Sequence, residues 1–125
     1  MLPAAARLRR SRDFRATLRQ GRRAGSPGRL VVLHLRAAVV GAGDAGDREP
    51  ARAGIVVPRS VGGAVVRTTV KRRLRHVLRA RLANLAPGSA LVVRALPPAA
   101  GATSAELDAD LGAALNRVLR QGPSR

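Results

Sequence analysis

The chain contains no cysteine, tryptophan or tyrosine, and Phe14 is its only phenylalanine. Without cysteine, disulfides and thiolate zinc sites are excluded, and the two histidines, His34 and His76, stand too isolated to form a metal cluster. A single aromatic means that any core is aliphatic, and that stacking on unpaired bases has one ring to work with. No apolar run approaches the ~20 residues that a membrane span requires. The Arg-rich, acid-poor start has the composition of a transit peptide but lacks the apolar core of a secretory signal. The expected location is the cytoplasm, with no membrane partner. Acids are also scarce, with 7 Asp and Glu against 24 Lys and Arg, for a formal charge of +17.

What is present is enough to fold. A length of 125 residues suits one domain spanning 1–125, and 46% of the residues are hydrophobic, which argues against wholesale disorder. A compact domain this cationic repels itself unless a polyanion neutralises it. Nucleic acid is the commonest such partner. An anionic membrane surface and an incidentally basic soluble protein are the rival readings. Lys71 is the sole lysine, so the positive charge is carried by arginine, whose planar fork suits phosphate oxygens.

Periodicity and turn residues divide the chain into elements. Residues 11–24 read as a helix, capped by Ser11, with Asp13 at its positive end and Phe14 and Leu18 sharing a face. Gly25, Pro27 and Gly28 break the pattern. Residues 29–37 read as a strand, with Val31, Leu33 and Leu35 pointing one way and Leu30, Val32 and His34 the other. Residues 41–50 form an acidic, flexible loop. A second strand runs over 52–57, a long helix over 64–84, and a third strand over 90–95. In the last helix Thr103 and Glu106 form a capping box, and Leu107, Leu111, Leu115, Val118 and Leu119 make the buried stripe. The tail 121–125 is expected to fray. Helix, strands, helix, strand, helix is the order of an α+β sandwich.

The charge is segregated along this pattern. No acid lies between Glu49 and Glu106, whereas Arg59, Arg67, Lys71, Arg72, Arg73, Arg75, Arg79, Arg81 and Arg94 do. On the long helix Val66, Val70, Leu74 and Leu78 form one i, i+4 row, and Arg67, Lys71, Arg75 and Arg79 form the next. Like charges at that spacing cost an isolated helix about 0.2–0.5 kcal/mol per pair. Phosphates alongside would turn that repulsion into a salt-dependent gain. A solvated face would normally mix signs, and a membrane-surface helix would carry larger apolar groups. Shape and backbone recognition of folded RNA fits best, although composition does not separate RNA from DNA. No carboxylate pair, Ser/His/Asp set or P-loop marks the chain as a catalyst.

The segment from Arg52 to Arg75, RAGIVVPRSVGGAVVRTTVKRRLR, resembles the signature of the bacterial ribonuclease P protein component. That family has a strand, a basic pair, a Val-Gly-Asn-Ala-Val turn and Arg-Asn-Arg-x-Lys-Arg-x-x-Arg on a helix. Arg7-Leu8, Arg12-Asp13-Phe14, Gly21, the strand at Leu91-Val92-Val93 and the Leu-rich last helix are in register with it. The resemblance implies a two-layer sandwich like the second domain of ribosomal protein S5, in the order α-β-β-β-α-β-α, with a left-handed βαβ crossover that departs from the usual hand. It implies that Arg59, Arg67, Thr68, Thr69, Lys71, Arg72 and Arg75 face a catalytic RNA subunit. It further implies that Phe14, Leu18, Val31 and Leu33 line a cleft for the 5′ leader of precursor tRNA. The RNA subunit would use Mg²⁺ to hydrolyse the phosphodiester, with no dedicated metal site on the protein, in a 1:1 complex. A ribosomal or other structural RNA-binding protein is the alternative. The chain departs from the family pattern at Ser60, Gly63, Thr68 and Thr69, and at Leu18 and Leu33, where aromatics are common.

Overall fold

The computed structural model describes residues 11–36 and 51–120, and within them every side chain except those of 11–14 and 20. The acidic loop 41–50, the tail 121–125, the Arg7-Leu8 pair and the Phe14 side chain therefore lie outside the described residues. Helix α1 is Ser11–Gln20, strand β1 Arg22–Gly25, β2 Val31–Arg36 and β3 Arg52–Val56. A 3-10 turn at Arg59–Val61 leads into helix α2, Ala64–Leu82. Strand β4, Ala90–Ala95, and a second 3-10 turn at Pro97–Gly101 precede helix α3, Ser104–Arg120. The four strands form one mixed sheet in the order β1-β2-β4-β3. β2 is antiparallel to β1 and β4, and β3 runs parallel to β4. The element order is the α-β-β-β-α-β-α implied by the family resemblance.

One element departs from the residue-by-residue reading. The first helix stops at Gln20 and not at residue 24, and Arg22–Gly25 form β1. Gly21 explains the stop. Its N–H closes the helix on the Thr17 carbonyl at 2.9 Å, and a Cβ there would collide with the Thr17 and Leu35 carbonyls. Only a glycine lets the helix end and strand β2 approach this closely. The chain then pairs Arg22 with Leu35 and Ala24 with Leu33.

The period-2 alternation of the strands sorts the side chains onto two faces. Ala24, Val31, Leu33, Leu35, Ala53, Leu91, Val93 and Ala95 lie on one face. They form a single core with Val70, Leu74, Val77, Leu78 and Leu82 of α2 and Leu107, Leu111, Leu115 and Val118 of α3. Leu33, Leu74, Leu78, Leu91 and Leu107 are completely buried. Two residues expected in these stripes are not covered. Val66, in the first turn of α2, is 37% exposed and Leu119, in the last turn of α3, is 48% exposed, so both end turns overhang the core. The opposite sheet face carries a smaller cluster of Ala90, Val92 and Val56, and α1 lies across β2 and β4 there.

The end of α3 facing the sheet also fixes the β1–β2 hairpin. Thr103 and Glu106 form the expected reciprocal capping box, at 3.0 and 3.1 Å. One turn on, the buried Asp110 carboxylate accepts from Gly28 N–H at 2.7 Å and Leu30 N–H at 3.0 Å. Ser26 Oγ accepts from Leu30 and Val31. Gly28 has no room for a side chain, since a Cβ would sit 2.8 Å from Asp110 Oδ1.

Burial would raise the Asp110 pKa, but the hydrogen bonds from Ser26, Gly28 and Leu30, with the Arg117 charge, outweigh it and hold the carboxyl below its ordinary 3.8. A depressed carboxylate stabilises the fold fully above its unfolded pKa, and that contribution is lost as pH falls through the folded pKa. Asp110→Ala leaves buried hairpin N–H groups without an acceptor and should cost about 1–3 kcal/mol at neutral pH. Urea melts should show the gap between wild type and variant closing as the pH is taken below about 4. A gap that stays constant with pH would contradict the assignment.

Candidate nucleic-acid interface

Burial of the Val70–Leu74–Val77–Leu78–Leu82 stripe sets the rotation of α2 about its axis. Thr68, Arg72, His76 and Arg79 are exposed on the outward side, with Arg67, Lys71 and Arg75 half-buried along one flank. From Arg67 to Arg79 this cationic band runs about 18 Å along the helix. Arg59 is exposed in the 3-10 turn just before it. Among the described residues, no carboxylate is paired with Arg59, Lys71, Arg72, Arg75 or Arg79. The ion pair seen is Arg81–Asp108, at 2.8 Å.

That pair separates two kinds of arginine on one helix. Arg81 Nε donates to Asp108 Oδ1 and its NH2 donates to the Asp108 carbonyl at 3.1 Å. Its guanidinium lies over Gly112, where a Cβ would approach within 2.6 Å. Arg73 NH1 donates to the Ala102 carbonyl at 2.7 Å. Both groups tie α2 to α3 and to the turn before it. They are held inward by protein acceptors, whereas Arg72 faces solvent.

The two threonines in the basic segment also differ. Thr69 gives its hydroxyl proton to the Val65 carbonyl at 3.0 Å. In that state it offers only lone pairs, and a phosphate diester has only acceptors to meet them. The Thr69 hydroxyl proton is therefore engaged within the helix. Thr68 stands exposed and keeps its place in the outward set. Gly63 caps α2 without a side-chain hydrogen bond, and no atom lies within 4 Å of the position its Cβ would occupy.

The second expected site needs a larger correction. Val31 and Leu33 are fully buried beneath α2 and α3, so they cannot line an open cleft. Strand alternation puts Val32 and His34 on the α1 side instead. Across the sheet His34 pairs with Arg23 on β1 and Val92 on β4, while Val32 pairs with Arg94. Arg36 and Arg52 flank Ala90 on the same face. Leu18 on α1 is 45% exposed. Arg23, His34, Arg36 and Arg52 were not singled out by sequence reasoning. Extending the even-numbered face of β2 to its neighbours would have found them.

The His34 pKa is lowered from 6.5 first by burial and then by the charges of Arg23 and Arg94. Its Nδ1 is buried and meets no hydrogen-bond partner among the described residues.

Comparison with known proteins gives the family and the fold. Residues 2–119 match the family model described as Ribonuclease P. The chain belongs to the ribonuclease P protein family. The chain is 56% identical over 123 residues to the ribonuclease P protein component of Streptomyces griseus, covering 98% of each. It is 55% identical over 118 residues to that of Beutenbergia cavernae, covering 94% of this chain and 92% of the relative. Among solved structures, the RNase P protein of Staphylococcus aureus superposes with a TM-score of 0.73 at 22% identity, covering 90% of this chain and 94% of that one. A Thermotoga maritima RNase P protein superposes with a TM-score of 0.68 at 25% identity, covering 92% and 99%.

Within the family frame, Arg72 and Arg73 make opposite predictions despite being adjacent. Arg72→Ala should lower the slope of log affinity for folded RNA against log salt by about one unit and leave the melting temperature unchanged. Arg73→Ala should lower the melting temperature and leave the slope intact. Paired salt titrations and thermal melts would check both. An unchanged slope for Arg72→Ala would remove the phosphate contact.

Proposed function

We propose that this chain is the accessory protein of a ribonucleoprotein that removes the 5′ leader of precursor tRNA. The catalytic RNA subunit lies along α2, against Arg59, Arg67, Thr68, Lys71, Arg72 and Arg75. The single-stranded leader lies over the opposite sheet face, beside Leu18 and Phe14 on α1 and in contact with Val32 and His34. The observation that carries this reading is the outward cationic band of α2, which has no carboxylate partner among the described residues. Family membership supports a ribonuclease P RNA as the ligand of this band.

The hydrolysis would belong to the RNA subunit, where bound Mg²⁺ would supply water activation and charge stabilisation. The described residues bring no three His, Asp or Glu groups together. The protein supplies phosphate neutralisation, which offsets the repulsion between two polyanions and lets divalent ions fill their sites at lower concentration. One protein per RNA subunit in the cytoplasm suffices for this role. No helix among the described residues is long and apolar enough to cross a membrane.

Precursor tRNA cleavage by the matching RNA subunit at low Mg²⁺ tests the proposal. The rate should rise sharply when the chain is added and converge with the protein-free rate at high Mg²⁺. A chain that binds RNA yet leaves cleavage unchanged at every Mg²⁺ concentration would make it a structural RNA-binding protein.

A further inference from the structure

One end of the sheet is formed by the start of β2 and the last residues of β1, β3 and β4. On the α1 face its final cross-strand row is Gly25, Val32, Arg94 and Val56, each paired with the next. Arg94 stands exposed in that row, and Gly25 has open space where a Cβ would be. Just beyond the row, in the turn between β1 and β2, lies Arg29, which is also exposed.

The hairpin is strained at Arg29, the one described non-glycine residue with a positive φ, 59°. Its N–H donates to the Ser26 carbonyl at 3.1 Å. On either side, Asp110 and Ser26 Oγ hold the N–H groups of Gly28, Leu30 and Val31. Those bonds fix the turn and leave position 29 in the left-handed region, where a side chain is unfavourable and glycine is at ease. Folding alone would favour glycine there. The arginine also does nothing for the turn through its side chain. Among the described residues, the guanidinium groups of Arg29 and Arg94 meet no hydrogen-bond acceptor and no carboxylate. Asp110, the acid beneath the turn, already accepts from Gly28 and Leu30 with its two oxygens. Strain kept for an unoccupied, exposed cation points to a ligand.

We propose that Arg29 and Arg94 clamp the phosphate backbone of single-stranded RNA where the strand leaves the α1 face at this end of the sheet. The proposal rests on the leader reading of that face and adds the residues that grip the strand. Arg29 precedes Val32 by three residues and Val32 pairs with Arg94, so their Cα atoms are at most about 16 Å apart. Two long arginine side chains cover that span to nearby phosphates of one strand. Contacts of this kind position the strand without reading its bases, so the clamp is indifferent to leader sequence. Arg59 of the α2 band leaves β3 at the same end of the sheet, which makes the catalytic RNA subunit the competing ligand.

The test measures binding of the full chain to a labelled oligouridylate of about ten nucleotides and to the matching RNA subunit, each across a salt series. Each phosphate contact on a single strand adds about 0.7 to the slope of log affinity against log salt. Arg29→Gly and Arg94→Gln should each lower the oligouridylate slope by about that amount. The wild-type advantage over either variant then shrinks about 2.6-fold between about 50 and about 200 mM salt. Arg29→Lys, which keeps the charge, should keep the slope. Glycine suits the backbone at position 29, so Arg29→Gly should melt no lower than wild type, and its weaker binding then belongs to the missing guanidinium. Neither variant should change the slope against the RNA subunit. An oligouridylate slope unchanged in Arg29→Gly overturns the clamp while leaving the leader face standing. A slope lost against the RNA subunit instead assigns Arg29 to that RNA and also overturns it. A wild-type chain that binds no oligouridylate overturns the leader reading as well.

Discussion

Burial of one aliphatic stripe on α2 is the interaction from which the rest follows. Val70, Leu74, Val77, Leu78 and Leu82 are 7% exposed or less, packed between the sheet and α3. At about 1.5–3 kcal/mol for each such side chain removed from water, this stripe outweighs the mutual repulsion of the cations beside it, at about 0.2–0.5 kcal/mol per pair. Once the stripe is seated, the azimuth of every other residue on the helix is determined. Arg72 and Arg79 must point to solvent, Arg73 and Arg81 toward α3. The charge pattern of the surface is therefore a consequence of core packing.

The sheet divides the molecule's chemistry in the same way. Its α2/α3 face is apolar apart from Arg22 on the edge strand, and its α1 face mixes Val32, Val56 and Val92 with His34, Arg23, Arg36, Arg52 and Arg94. α1, thinner cover than two packed helices, leaves part of that face open. Two cationic surfaces consequently lie on opposite sides of one sheet. In the proposed function each meets a different RNA strand, and the aliphatic core between them is what holds their relative placement. With Phe14 as the only aromatic in the chain, affinity on both sides rests on arginine.

Much of this was legible from residues alone, and the gaps have physical causes. The Thr103–Glu106 box, the α2 stripe and β4 were readable because each is a local pattern with strong periodicity or capping chemistry. Strand β1 was not: Arg-Arg-Ala-Gly has little strand propensity and exists because β2 offers it hydrogen bonds. The two faces of β2 were separated correctly, but both are apolar, so alternation did not tell which one lay beneath two helices. That is why Val31 and Leu33 were assigned to a cleft although they lie beneath α2 and α3. The inward ties of Arg73 and Arg81 were not legible because their acceptors, Ala102 and Asp108, are distant in sequence. The burial of Asp110 under the hairpin escaped for the same reason.

The central claim is that the outward band of α2 lies against RNA while α3 does not. A cysteine-free chain allows this to be measured by placing a single thiol-tethered radical source at chosen positions. His76→Cys puts the source on the exposed side of α2, and Ala109→Cys puts it on the exposed side of α3. Bound to the catalytic RNA subunit, the first should cut the RNA strongly at a few discrete sites and the second much more weakly. Equal cutting from both positions, or stronger cutting from position 109, would contradict the account.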